Sequence, residues 1–334
     1  MRIALDAMTS ELGVEEAVHG LFEALAADPS LSVLAVGQAA VLEPLLAHGP
    51  SALRGRVELA HAPDVIGMDE ETAQVFKSKK DSASVAVATR LVKEGRAQGA
   101  VSPGNTAASV MSATLLLGRV PGVRRPAILT PLPTGNGYCG LLDAGGVVDA
   151  RPDDLVQWAI MGSVYMEHVL HVASPKVGLL SNGEEETKGN TQTLEAWPLL
   201  KAAPIRFVGN VEGRDLFNGH CDVAVADGFV GNIVLKTAEG IAKMMLGQLK
   251  EEYGRQGFGS KVGGLLSKSV FRAMMKRVSP DETGGGPLLG VDGNFIITHG
   301  RASRVMIGNG LRVAAECARQ DLTGRITQAF KAAA

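Results

Sequence analysis

The sequence predicts an α/β fold: a mainly parallel open sheet flanked by helices. Three observations predict it. Short β-branched or apolar runs alternate with longer stretches of helical periodicity, the pattern of βαβ units. Glycine is frequent (41 of 334 residues) and aromatic residues make up 4%, which suits tight turns around a small-molecule site better than stacking platforms for single-stranded RNA. Polar clusters recur just after the apolar runs, where open α/β sheets bind their ligands.

Taken in order, an apolar run at 2–7 is read as a strand and 13–27 as a helix, followed by strand 31–37, helix 38–48 and strand 56–61. Helix 83–95, strand 99–103 and helix 105–118 continue the alternation. Runs at 127–132 and 137–143 flank Gly135-Asn136-Gly137, a hairpin signal, so part of the sheet is expected to be antiparallel. Arg151-Pro152-Asp153-Asp154 opens a helix over 153–171 and is the best place for a seam, near 150, within one domain spanning 1–334. Strand 176–181, helix 189–202, strands 205–211 and 221–226, helix 229–253, strand 294–298 and helix 301–319 complete the reading.

Composition narrows the function. Lys plus Arg (33) nearly balances Asp plus Glu (35), so the chain is not basic throughout and no nucleic-acid partner is expected. Three widely spaced cysteines, none in a CxxC pair, argue against a thiolate zinc site or a disulfide framework. His168 and His171 lie three apart on a helix without HEXXH or a third ligand, so no metal is assigned, and no cofactor is expected. Asp6 comes too early for a signal peptide, and no run of about 18 apolar residues occurs. A cytoplasmic protein is expected.

Five polar clusters follow strands: Asp6 to Glu11, Ser102 to Thr106, Ser181 to Asn190, Asn210 to Asp215, and Asp227 to Asn232. One alone is ordinary turn and cap chemistry; their recurrence suggests a shared cleft. Ser102, Gly104, Asn105 and Thr106 stand between a strand and a helix, where uncovered N–H groups favour an anion, so they are candidate phosphate ligands. Neither a Walker A loop nor GxGxxG occurs. Lys77, Lys79 and Lys80 precede Asp81 and Ser82 at a helix start, as a solvated turn or as a cationic wall for a phosphate or an acidic partner. Lys188 follows Glu184, Glu185 and Glu186, and its cation can bind an oxyanion. Asn232 and Lys236 share a helix face one turn apart, and Gly228 and Gly231 would let a ligand approach. Residues 254–280 carry six basic side chains and no acid. Phe258, Val262, Leu265 and Leu266, with Lys268 and Arg272, form a basic amphipathic helical segment suited to an anionic membrane surface or a partner subunit.

Together these segments resemble the PlsX family, the phosphate acyltransferases of bacterial phospholipid synthesis. Matching stretches include Ile66-Gly67-Met68-Asp69, Lys79-Lys80-Asp81-Ser82, Gly104-Asn105-Thr106, Gly118-Arg119-Val120-Pro121-Gly122-Val123, Gly183 to Asn190, Gly209 to Asp215, Asp227 to Lys236 and His299-Gly300. The family's usual Asp-Ala-Met-Gly-Gly-Asp reads Asp6-Ala7-Met8-Thr9-Ser10-Glu11 here, and Pro103, Ala107 and Ser181-Asn182 also depart from its pattern.

The resemblance implies a homodimer with a fold like isocitrate and isopropylmalate dehydrogenases, carrying a protruding helical segment. It implies conversion of long-chain acyl-(acyl-carrier-protein) and inorganic phosphate into acyl phosphate and free carrier protein. It also implies peripheral attachment to the inner face of the cell membrane and a downstream glycerol-3-phosphate acyltransferase that takes the product. Lys188, Asn232, Lys236 and His299 are then the catalytic candidates. Asp6, Asp81, Ser82, Asp143, Glu184, Glu185, Asn190, Asn210, Glu212, Asp227 and Gly228 would line the rest of the cleft. Lys77, Lys79, Lys80, Arg124 and Arg125 would dock the acidic carrier protein. Two other readings stay open at this point: a carrier-protein scaffold without activity, and a dehydrogenase of the isopropylmalate type.

Overall fold

The computed structural model describes residues 1–333 other than 69, 71, 136, 256–262 and 264–266. Its strands are β1 (Arg2–Asp6), β2 (Ser32–Gly37), β3 (Val57–His61), β4 (Gly99–Ser102), β5 (Ala127–Thr134), β6 (Gly137–Leu142), β7 (Lys176–Leu180), β8 (Arg206–Val211), β9 (Val223–Val225), β10 (Gly286–Leu289) and β11 (Phe295–Ile297). They join edge to edge in the order β3-β2-β1-β4-β11-β10-β5-β6-β9-β7-β8.

Pairing divides this sheet into two parallel wings, β3-β2-β1-β4-β11 and β6-β9-β7-β8. Between the wings, β10 is antiparallel to both β11 and β5, and β5 is antiparallel to β6. Three reversals leave the carboxyl ends of the two wings facing opposite ways. The five polar clusters expected to share a cleft therefore start from strand ends that point two ways, and among the described residues only two of them, through Thr106 and Asn232, line the cavity described below. The clusters after β1 and β4 lie at strand ends of the first wing, and those after β7, β8 and β9 at oppositely directed ends of the second.

The apolar runs become strands because the sheet is covered on both faces. Successive residues of β1 and β2 face two different cores: Ile3, Leu5, Val33 and Ala35 point into one, and Ala4, Leu34 and Val36 into the other. The first core also takes Trp158 and Tyr165 of the helix Pro152–His168, and the Trp158 Nε1–H is satisfied by the Arg125 carbonyl at 3.0 Å. A third cluster covers the second wing with Leu132, Leu141, Leu180 and Val211.

The hairpin forms as expected, with Thr134 paired to Gly137. Pro131 and Pro133 occupy the part of β5 that runs past β10, where a strand has a neighbour on one side only and tolerates proline. The chain crosses between wings through β5–β6, and Arg151 to Asp154 begins the helix Pro152–His168, with Asp154 Oδ2 accepting the Arg151 N–H at 2.9 Å. Strand β10 was not expected. It is four residues long, contains Pro287 and follows Gly284 and Gly285 at positive φ, so locally it reads as a turn. Neighbours on both sides make it a strand. Helices Thr72–Lys79 and Leu322–Ala333 were also missed.

The helix Gly228–Arg255 packs beside the sheet centre, and the helix Lys268–Val278 returns against it, with the Tyr253 and Phe271 rings edge to face at 5.3 Å. Phe258, Val262, Leu265 and Leu266 lie outside the described residues; Lys268 is exposed, and Arg272 belongs to the returning helix.

Candidate active site

Asp6 ends β1 and is fully buried. Its Oδ2 accepts from Ser102 Oγ (2.8 Å) at the end of β4 and from Thr9 Oγ1 (2.9 Å), and its Oδ1 from the Met8 N–H (3.3 Å). Burial raises the Asp6 carboxyl above its ordinary value, and these donors pull against it. Ser102 Oγ in turn accepts from the Gly104 N–H at 3.3 Å. A Cβ on Gly104 would stand 2.8 Å from Thr9 Cβ and Oγ1, so the two loops cross where 104 must be small. Glu11 N–H donates to the Gly300 carbonyl at 2.8 Å. Positive φ outside glycine occurs at His171, Ser174 and Asp321 among the described residues, so Thr9 and Ser10 need no left-handed backbone.

Several candidates in the polar clusters prove to be helix caps. Asn105 Oδ1 accepts the Ala108 N–H (3.1 Å) while its Nδ2 donates to the Met68 carbonyl (3.0 Å). Asn190 Oδ1 accepts from Thr193 (2.9 Å) and Asp227 Oδ1 from Val230 (2.8 Å). In the second wing, Asn210 Nδ2 donates to the Glu185 carbonyl (2.7 Å), and Arg214 bridges Glu184 (2.9 Å) and Glu212 (2.7 Å). Lys188 is exposed on this loop.

Asp143 follows β6 and is fully buried. It gathers the backbone N–H groups of Ile128 (2.9 Å), Gly145 (3.3 Å) and Val147 (2.6 Å), while burial pushes its carboxyl above the ordinary value. A Cβ on Gly228 would stand 2.6 Å from Asp143 Oδ2, and one on Gly231 only 1.9 Å from the Asp143 carbonyl oxygen. The glycines expected to admit a ligand therefore admit the Asp143 loop.

A cavity of about 740 Å³ opens beside the sheet centre. Its lining mixes apolar side chains, among them Leu132, Leu235, Ile241, Met245, Leu246 and Met274, with the polar Thr106, Asn232, Lys236, Glu239, Thr298 and His299. Asn232, Lys236 and Glu239 fall on one face of the helix Gly228–Arg255. Glu239 Oε2 lies 3.1 Å from Lys236 Nζ, and its Oε1 lies 3.2 Å from His299 Nε2. The His299 hydrogen bond, with Lys236 beside it, lowers the Glu239 carboxyl to about 2. Sequence reasoning missed Glu239. Its one sequence signal is position: an acid three residues after Lys236 and seven after Asn232.

Thr106, Asn232, Lys236 and His299 are thus brought together, whereas Lys188, Asp6 and Asn210 are not among the described residues lining this cavity. Of the basic candidates, Lys79 Nζ is held by Glu70 (3.1 Å) and the Val65 carbonyl (2.9 Å). Arg124 pairs with the fully buried Asp154 (2.8 Å and 2.5 Å). Arg125 donates to the Asp149 carbonyl (3.2 Å), and Lys77 and Lys80 are exposed. Asp81 pairs with Arg90 at 3.1 Å, and Ser82 closes the turn through its N–H to the Lys79 carbonyl (3.1 Å).

A family model described as "Fatty acid synthesis protein" matches residues 1–325. The "Phosphate acyltransferase" of Heliobacterium modesticaldum is 47% identical over 328 residues, 98% of this chain and 97% of the relative. The chain belongs to the phosphate acyltransferase family. It is an acyltransferase of fatty acid and phospholipid synthesis. Among solved structures, the EutD phosphotransacetylase from Staphylococcus aureus has a similar fold (TM-score 0.61, 16% identity, 95% of this chain and 94% of that one). So does the 4-hydroxythreonine-4-phosphate dehydrogenase from Klebsiella pneumoniae (TM-score 0.54, 13% identity, 95% and 99%). At these identities the likeness is one of fold. For this phosphate acyltransferase family member, no helix among the described residues is long and apolar enough to cross a membrane.

Proposed function

We propose that this acyltransferase makes acyl phosphate from inorganic phosphate and a long-chain acyl thioester of acyl-carrier protein, releasing the free carrier. The supporting observation is a mostly apolar cavity that also holds a cation and hydrogen-bonding groups, Lys236, Thr106, Asn232 and His299. An acyl chain suits Leu132, Leu235, Ile241 and Met245, with the thioester at Asn232, Lys236 and His299. A phosphate oxygen bonds to the thioester carbonyl carbon, the C–S bond breaks, and the sulfur leaves with the electron pair. Phosphate is already partly dianionic at neutral pH, so positioning and charge stabilisation do the work. Lys236 and Thr106 bind the phosphate, Asn232 stabilises the carbonyl oxyanion, and His299 Nδ1 takes the proton that the attacking hydrogen phosphate loses and passes it to the departing thiolate. A free thiol has a pKa of about 8.5, so that last step needs little help.

The test is hydroxylamine trapping of acyl phosphate from palmitoyl-carrier protein, with and without phosphate. Phosphate-dependent product that falls about 100-fold in Lys236→Met and survives in Lys188→Ala is expected. Loss in Lys188→Ala with Lys236→Met fully active would move the site to the β7 loop. The proposal extends to a homodimer and to docking on an anionic membrane surface, where the exposed Val270 and Met274 of the helix that also carries Lys268 favour attachment and hand-over to a downstream glycerol-3-phosphate acyltransferase. Salt-sensitive sedimentation with anionic vesicles is expected, and absence of sedimentation at low salt would remove the membrane part.

A further inference from the structure

Resting on the acyl-transfer reading, we infer that Glu239 is the positioning residue of the cavity's polar side chains, one carboxylate setting both Lys236 and His299 for the reaction. Each oxygen is used: Oε2 holds Lys236 Nζ at 3.1 Å and Oε1 holds His299 Nε2 at 3.2 Å. The Glu239 side chain is 13% exposed, while Lys236 is 50% and His299 42% exposed. The anchor is therefore the enclosed group and the anchored groups reach toward solvent and ligand.

The two partners come from different parts of the fold. Lys236 is one turn back on the helix that follows β9 in the second wing, and His299 follows β11 in the first. The carboxylate consequently ties the wings together across the cavity. Lys236, Glu239 and His299 are also the only titratable side chains among the described lining residues.

The contacts specify what each partner has left to offer. A lysine ammonium carries three donors; Glu239 takes two, through Oε2 at 3.1 Å and Oε1 at 3.4 Å, so Lys236 keeps one for an oxygen of an arriving phosphate. A long lysine stem left unheld would scatter over many rotamers. An imidazole that gives its Nε2–H to a carboxylate is fixed in that tautomer and leaves Nδ1 as the nitrogen available for proton transfer. Glu239 makes no bond to substrate in this scheme; it acts through the other two.

Glu239→Gln in the full chain should lower kcat about 10- to 100-fold, with KM for the acyl thioester changed less than about threefold and the melting temperature little moved. Glu239→Asp, which keeps the charge on a shorter stem, should recover part of the loss. Added to a Lys236→Met, His299→Asn double variant, Glu239→Gln should cost nothing further, because a residue acting through those two has nothing left to act on. Nitrogen-15 spectra, with the His299→Asn variant assigning the signal, should show a single Nε2–H tautomer in the unaltered protein and a mixture in Glu239→Gln. An unchanged kcat in Glu239→Gln, a full further loss on the double variant, or mixed tautomers in the unaltered protein would overturn the inference. Failure of the unaltered protein to make acyl phosphate would sink the acyl-transfer reading instead, and the tautomer result would still decide Glu239's hold on His299.

Discussion

Two glycines on the same helix should respond to alanine with opposite signs. Gly231 and Gly240 both lie in the helix Gly228–Arg255, and neither has a positive φ. A Cβ on Gly240 meets nothing within 4 Å. Gly240→Ala should therefore add the usual helix gain of about 1 kcal/mol. A Cβ on Gly231 would stand 1.9 Å from the Asp143 carbonyl oxygen and 3.0 Å from its carbon, with Ala144 Cα at 3.5 Å. These are backbone atoms, so no side-chain rotation relieves the clash, and the helix start or the Asp143 loop must move by more than about 1 Å. Overpacking of this kind costs about 1–3 kcal/mol, which exceeds the helix gain or cancels it. For a chain this long, unfolding entropy amounts to roughly 0.7 kcal/mol per degree, so each kcal/mol moves the melting temperature by about 1.4 °C. Gly240→Ala should melt about 1 °C higher, and Gly231→Ala up to about 3 °C lower. Asn232 is the next residue, so Gly231→Ala should also lower kcat while Gly240→Ala leaves it alone. Equal upward shifts in both variants would refute the close approach of helix and loop.

Arg124→Ala strands the fully buried Asp154 carboxylate without its partner and should cost about 3 kcal/mol or more, whereas Lys80→Ala, an exposed side chain, should leave the denaturant midpoint unchanged. If Arg124→Ala matches Lys80→Ala in urea titrations, the pair carries no stability. Acid titration should reveal Glu239. Its carboxyl is lowered to about 2 in the folded chain, so its contribution is complete above the ordinary value near 4.5 and is lost as pH falls toward 2. Lys236 and His299 are half exposed, so screening reduces the contribution to about 1–2 kcal/mol. Glu239→Gln should flatten the stability curve between pH 4.5 and 2 by that amount, and a parallel curve would count against it.

The helix Gly228–Arg255 shows how far local pattern reaches. Periodicity predicts its extent, and the i, i+4 spacing alone puts Asn232 and Lys236 on one face. Glu239 lies on that face too, yet spacing gives it no role, because its meaning comes from His299, sixty residues later in the chain. The glycines at 228 and 231 are legible as small residues. That the small space is filled by the Asp143 loop depends on how β6 meets the helix.

The sequence by itself determined the elements, the hairpin and the polar clusters at strand ends, since alternation, turn chemistry and caps act within a few residues. Asn105, Asn190 and Asp227 cap helices for this local reason. Only the tertiary structure decided which clusters meet. Strand β10 carries no strand signal of its own, and its insertion between β11 and β5 reverses the direction of the sheet. That reversal turns the strand ends of the two wings opposite ways, yet Thr106 of the first wing and Asn232 of the second still line one cavity. Thr106, Asn232, Lys236 and His299 come together around a cavity whose other lining residues are mostly apolar. Strand direction is a property of pairing between distant segments, and no window along the chain contains it.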